Sequence, residues 1–155
     1  MSITKQWLTL FMMIISLALP TQSVYAHPDS LSLTAVNCSC VVYIQNRYNL
    51  ARPWVNSAKD MGAVLQRNGF TKVNSPQVGA VTVMQTNFPG ANTTHGHVGV
   101  IESLSSTKTT WKFTLRQGGS ATNGNTEFGC KNIRSVAWGA YPKSYDNMRI
   151  TYWVK

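Results

Sequence analysis

The chain has 155 residues, 43% of them apolar, and a formal charge of +9 from 14 Lys and Arg against five Asp and Glu. That length holds one core and excludes two full domains. The positive excess points to anionic partners, while cationic residues scattered singly, with no basic stripe interleaved with aromatics, argue against nucleic acid.

Residues 1–26 begin with Lys5, run through the apolar stretch Leu8 to Leu19, and close on Pro20 and the small-residue site Val24-Tyr25-Ala26. This is the three-part pattern of a secretory signal peptide, with an apolar run too short to span a bilayer comfortably. An uncleaved amino-terminal anchor is the alternative. Cleavage after Ala26 would start the mature chain at His27 and leave thirteen Lys and Arg against five acids, a charge of +8, with no integral membrane segment. A secreted or periplasmic location follows, and cell-wall polymers become the expected anionic partner. Residues 27–36 are polar and read as a surface extension, leaving 37–155 as the domain.

NCSCVVYIQNRY offers Asn37 or Ser39 as a cap for a short helix carrying Val41, Val42, Tyr43 and Ile44. After a loop from Leu50 to Val55, NSAKDMGAVLQRNG predicts a second helix, capped by Asn56, with Ala58, Met61, Val64 and Leu65 on its apolar side and Gly69 as its stop. Strands are then expected over Val78–Met84, His97–Ser103, Thr110–Leu115, Val136–Tyr141 and Met148–Val154, divided by turn-rich stretches such as NFPGANTT and GGSATNGN. Helices followed by a run of strands predict an α+β fold with a mostly antiparallel sheet. Trp111, Trp138, Tyr141, Tyr152 and Trp153 read as core and sheet packing rather than a glycan platform.

Two residues carry candidate chemistry. Cys40 falls in the first turn of the first helix, where free amide hydrogens and the helix dipole favour a thiolate. His97 opens a period-two strand and shares a face with Gly99 and Ile101, so apolar neighbours would hold its ring as a base for Cys40. Gly96 would leave room for substrate beside that ring. The backbone N–H groups at the helix start would steady an oxyanion. His95 reads as a loop residue.

The blocks CVVYIQNR (Cys40 to Arg47), PWVNSAKDM (Pro53 to Met61), PQVGAVTVM (Pro76 to Met84), GHVGVIES (Gly96 to Ser103) and WGAYP (Trp138 to Pro142), taken in order, resemble the CHAP domain family, the cysteine- and histidine-dependent amidohydrolases and peptidases of papain-like fold. The resemblance implies cleavage of amide bonds in peptidoglycan, with Cys40 as nucleophile, His97 as general base and Tyr43 lining the site. The scissile bond would be that of an N-acetylmuramoyl-L-alanine amidase or of a stem or cross-bridge endopeptidase. The family's third residue is typically the acid of a Glu-x-Asn pattern on the strand after the histidine. In WKFTLRQGG, Gln117 stands at the Glu position and Gly119 at the Asn position. An amide oxygen accepts the imidazole N–H but does not stabilise imidazolium as a carboxylate does. Glu127 is the second candidate for this role, and Glu102 has the wrong parity.

With Cys40 free, as the resemblance implies, Cys38 and Cys130 are left to pair; a pairing that uses Cys40 is the alternative. A zinc site built on C-S-C and H-G-H is a further rival, disfavoured because residues two apart on a helix do not share a face. Calcium would need clustered carboxylates that the sequence lacks. No cofactor or metal is expected, and the molecule is expected to be a monomer. A catalytically silent wall-binding module on the same fold, or a secreted antibacterial amidase toxin, are the rival functions.

Overall fold

A computed structural model describes residues 35–119 and 124–155. The leader segment 1–26 and most of the extension 27–36 lie outside these residues. Two helices stand before a sheet of seven strands, the α+β arrangement expected from the sequence.

Helix α1 (Cys40–Arg47) starts at Ser39, whose extended backbone and side-chain oxygen, accepting Val42 N–H at 3.2 Å, make it the cap. The second helical segment departs from expectation at its start. Asn56 does not cap it; a 3₁₀ turn over Ala58–Asp60 precedes α2 (Met61–Arg67). The chain tightens there because Lys59 N–H is drawn out to the carbonyl of His95 (2.9 Å), which ties this turn to the loop before His97. Gly69 ends α2 at φ +82°, with Phe70 N–H bonded back to Leu65.

The strands are β1 (Thr71–Val73), β2 (Val81–Met84), β3 (His97–Ser106), β4 (Thr110–Gln117), β5 (Asn125–Glu127), β6 (Cys130–Pro142) and β7 (Ile150–Val154). Their order in the sheet is β1-β7-β2-β3-β4-β6-β5, and the paired neighbours are antiparallel. Short polar β1 and β5 escape the sequence pattern because each is a three-residue edge strand. β2 begins three residues later than expected, since Gly79 turns the chain at φ +87°. β6 begins six residues earlier, because Cys130, Asn132 and Ile133 are buried in a stretch whose lysine and arginine suggest a loop.

Alternation divides the core. Val81, Val83, Val98 and Val100 face α1 and α2 and pack with Val41, Ile44, Met61 and Leu65. Met84, Ile101, Phe113, Leu115, Ile150 and Tyr152 form a second cluster with Phe88 and Tyr141. Pairing of Met84 with His97 sets the imidazole at the head of this second row. Tyr141, Tyr152 and Trp153 are buried, in keeping with packing roles. No helix among the described residues is long and apolar enough to cross a membrane.

Candidate active site

Cys40, His97 and Gln117 line one cavity of about 650 Å³, together with Gly96, Asn132 and Arg134. Cys40 comes from the start of α1, His97 from the first position of β3, and Gln117 from the last position of β4. The three meet because β4 ends against the helix start. A side chain at Gly118 would stand 2.8 Å from the Ser39 carbonyl and 3.1 Å from that of Cys38, so only glycine permits this approach.

The sulfur is half-buried and receives backbone N–H groups. Burial pushes the Cys40 thiol above its ordinary range; the N–H groups of Val98, Val41 and Cys40 itself pull the other way without overcoming it. Val98 directly follows His97, so the same backbone step presents a donor to the sulfur and carries the imidazole. Burial lowers the His97 pKa from 6.5, opposed by its bond to Gln117. Both shifts favour the uncharged forms at rest, against the thiolate that the helix start alone would favour. The helix start is real, but desolvation outweighs it.

His97 Nε2 lies 2.9 Å from Gln117 Oε1. The alternative orienter, Glu127, is occupied elsewhere: it accepts Arg116 Nε at 2.9 Å and Tyr43 Oη at 3.3 Å, and Arg116 holds its carboxyl below the usual range. Glu102 also faces Arg116, at 3.8 Å. Tyr43 does not line the cavity. It is fully buried under α1, its hydroxyl held by Arg47 at 2.7 Å and by Glu127, because one turn along the helix carries it away from the mouth. Gly96 does line the cavity, but its lack of a side chain answers a backbone demand: at φ +71° a Cβ would fall 2.3 Å from the Met84 carbonyl. His95 stays in the loop, with Nδ1 2.9 Å from Ser57 Oγ.

Cys38 and Cys130 are joined in a disulfide, and Cys40 is free. Neither bonded sulfur is a thiolate ligand, and among the described residues no three His, Cys, Asp or Glu groups gather as a metal site would require.

Two residues of the cavity wall escaped the sequence reading, and a third, Trp138, was read there only as packing. Buried Asn132 accepts Cys38 N–H at 2.8 Å and donates to the carbonyls of Cys38 and Gly119, bracing the chain on both sides of the cavity. Arg134, also on β6, adds a cation to the wall. Trp138 stacks on His97 with ring centroids 5.2 Å apart and donates to Gln117 Oε1 at 3.2 Å. Asn132 and Arg134 precede the expected start of β6, so their shared parity with Trp138 was hidden.

The CHAP domain family matches residues 30–118. No curated protein matches the chain. Among solved structures, the chain is similar to an N-acetylmuramoyl-L-alanine amidase from Staphylococcus aureus, with 15% identity and a TM-score of 0.48 over 75% of this chain and 30% of that one. The chain thus spans less than a third of that protein's length. With a family match over more than half of its residues, and Cys40 and His97 in one cavity, the chain belongs to the CHAP domain family.

Proposed function

We propose that the protein is an exported thiol hydrolase that cuts a peptide-type bond in peptidoglycan. The observation that carries this reading is the shared cavity, in which a free cysteine at a helix start and a half-buried imidazole oriented by an amide stand together. The Cys40 sulfur attacks the substrate carbonyl carbon as its proton passes to the lone pair of His97. The developing oxyanion takes backbone N–H groups of the helix start. Val42 N–H is already bound by Ser39 Oγ and Tyr43 N–H by the Ser39 carbonyl, so the work falls to Cys40 and Val41 N–H, which at rest face only the sulfur. The imidazolium returns its proton to the leaving amine, the C–N bond breaks, and a thioester remains on Cys40. Water, deprotonated by His97, releases the acyl group as a carboxylic acid and restores the thiol.

Arg134 gives the wall a cation suited to the carboxylates of stem peptides, and the positive chain suits an anionic wall. The leader segment and the disulfide support action outside the cytoplasm. The test is digestion of purified peptidoglycan by the chain from His27 and by its Cys40→Ala form, followed by mass analysis. New amino termini are expected with the parent alone. Identical fragments from Cys40→Ala would overturn the mechanism.

A further inference from the structure

A histidine held by a glutamine has an ambiguity that a histidine held by a carboxylate lacks. The carboxamide presents either its oxygen or its nitrogen, and the imidazole carries its proton on either nitrogen. If the Gln117 amide turned its nitrogen toward the ring, Nε2 would have to be the acceptor and Nδ1 would carry the proton. The other ring nitrogen would then have no lone pair to take a proton from a thiol.

The third member of this group resolves the choice. Trp138 Nε1 lies 3.2 Å from the same Gln117 Oε1 that meets His97 Nε2 at 2.9 Å. An indole N–H donates only, so the atom it meets must be an acceptor. Gln117 is 6% exposed, and a reversed amide would set two donors against each other with little water to relieve them. The amide oxygen therefore faces both rings, Nε2 carries the proton, and the lone pair is on Nδ1. The indole is itself held in place. It stacks on the imidazole at an interplanar angle of 30°, and its opposite edge meets Gly90, where a Cβ would be 3.2 Å from the ring and φ is +84°.

We propose that Trp138 is a positioning residue: through the Gln117 amide it fixes the His97 proton on Nε2 and keeps Nδ1 free as the base. It gives a carboxamide the one-sided acceptor character that a carboxylate has unaided. The inference rests on the reading of His97 as the general base.

The test reads the tautomer directly, by ¹⁵N NMR of the His97 ring in Cys40→Ala protein at pH 8, beside the same protein with Trp138→Phe. The phenyl ring keeps an aromatic face for the imidazole and removes the N–H together with the part of the indole that reaches Gly90. The parent is expected to show protonated Nε2 and unprotonated Nδ1. Loss of one neutral hydrogen bond changes the orientation ratio roughly fivefold, so both signals should move toward their averaged positions in Trp138→Phe. Adding Gln117→Glu, which has acceptors on both arms, should restore the parent pattern. Should Trp138→Phe not fold, Trp138→Tyr, which also lacks the indole N–H and keeps a larger ring, takes its place with the same expected shift. A proton on Nδ1 in the parent, or a Trp138→Phe spectrum unchanged from it, overturns the proposal. Because none of these signals depends on turnover, a protein with the fixed tautomer and no hydrolysis would sink the function proposed above and leave this inference standing.

Discussion

Burial in the cavity favours the uncharged forms of Cys40 and His97 more than their hydrogen bonds oppose it. In the proposed mechanism charge separates only when the sulfur attacks, and the cost of forming imidazolium falls on a neutral amide, Gln117. The sign of the pH dependence follows. With the folded His97 pKa below 6.5, the unfolded chain takes up the proton first as pH falls, so this residue's contribution to stability is lost below about pH 6.5. The base itself stays neutral to a lower pH than a free imidazole would. Gln117→Glu puts a carboxylate against Nε2, which favours imidazolium and raises the His97 pKa. The acid limb of kcat/KM against pH should shift upward accordingly in Gln117→Glu. A limb that stays in place would mean that residue 117 does not touch the titrating base. At this scale the two residues that share the cavity were legible, since a helix cap before Cys40 and a strand opening at His97 are local patterns. Their protonation was not, because burial belongs to the folded surroundings and leaves no local mark.

Elements converge on the cavity through their ends rather than their faces. The start of α1, the start of β3 and the end of β4 are brought together by backbone contacts that side-chain periodicity does not report. Gly118 is the tightest of these. A methyl group there would lie 2.8 Å from the Ser39 carbonyl, 3.0 Å from Tyr43 Cβ and 3.1 Å from the Cys38 carbonyl, whereas at Gly119 it would meet nothing within 4 Å. Gly118→Ala should therefore cost about 1–3 kcal/mol, as overpacking does, and should move Gln117 away from the helix start. Gly119→Ala should stay within about 0.5 kcal/mol of the parent. Thermal unfolding of the two variants checks the contrast, and equal melting temperatures would refute it. The sequence placed the Glu-x-Asn counterpart at Gln117 and Gly119, but the demanding glycine is the residue between them. Long apolar runs such as Val98 to Ile101 announced their strand. β6 was seen only from Val136, because Asn132 and Arg134 look like loop residues until the disulfide and the cavity give them partners.

Over the whole molecule, the segment leading into α1 has little apolar contact of its own and is fastened instead by covalent and polar ties. Cys38 bonds to Cys130 across 92 residues, Val36 N–H meets the Gly129 carbonyl at 3.0 Å, and Asn132 holds the Cys38 backbone on both sides. Cys40 follows two residues later, so the same clasp that closes the chain into a loop also sets where the helix begins. Closing a loop of this length stabilises by about 4 kcal/mol in the chain-entropy model, a large share of the roughly 5–15 kcal/mol that holds a domain together. Both sulfurs are buried, with Cys38 3% and Cys130 0% exposed, so a mild reductant should leave the folded protein intact and act only once it opens. Denaturant unfolding in the Cys40→Ala background, where disulfide exchange has no third thiol, gives the cleanest comparison. Replacing Cys38 and Cys130 by Ser there should lower the unfolding free energy by about 3–4 kcal/mol. A loss below about 1 kcal/mol would show that the hydrogen bonds of Asn132 and Val36 fasten the segment without the covalent bond.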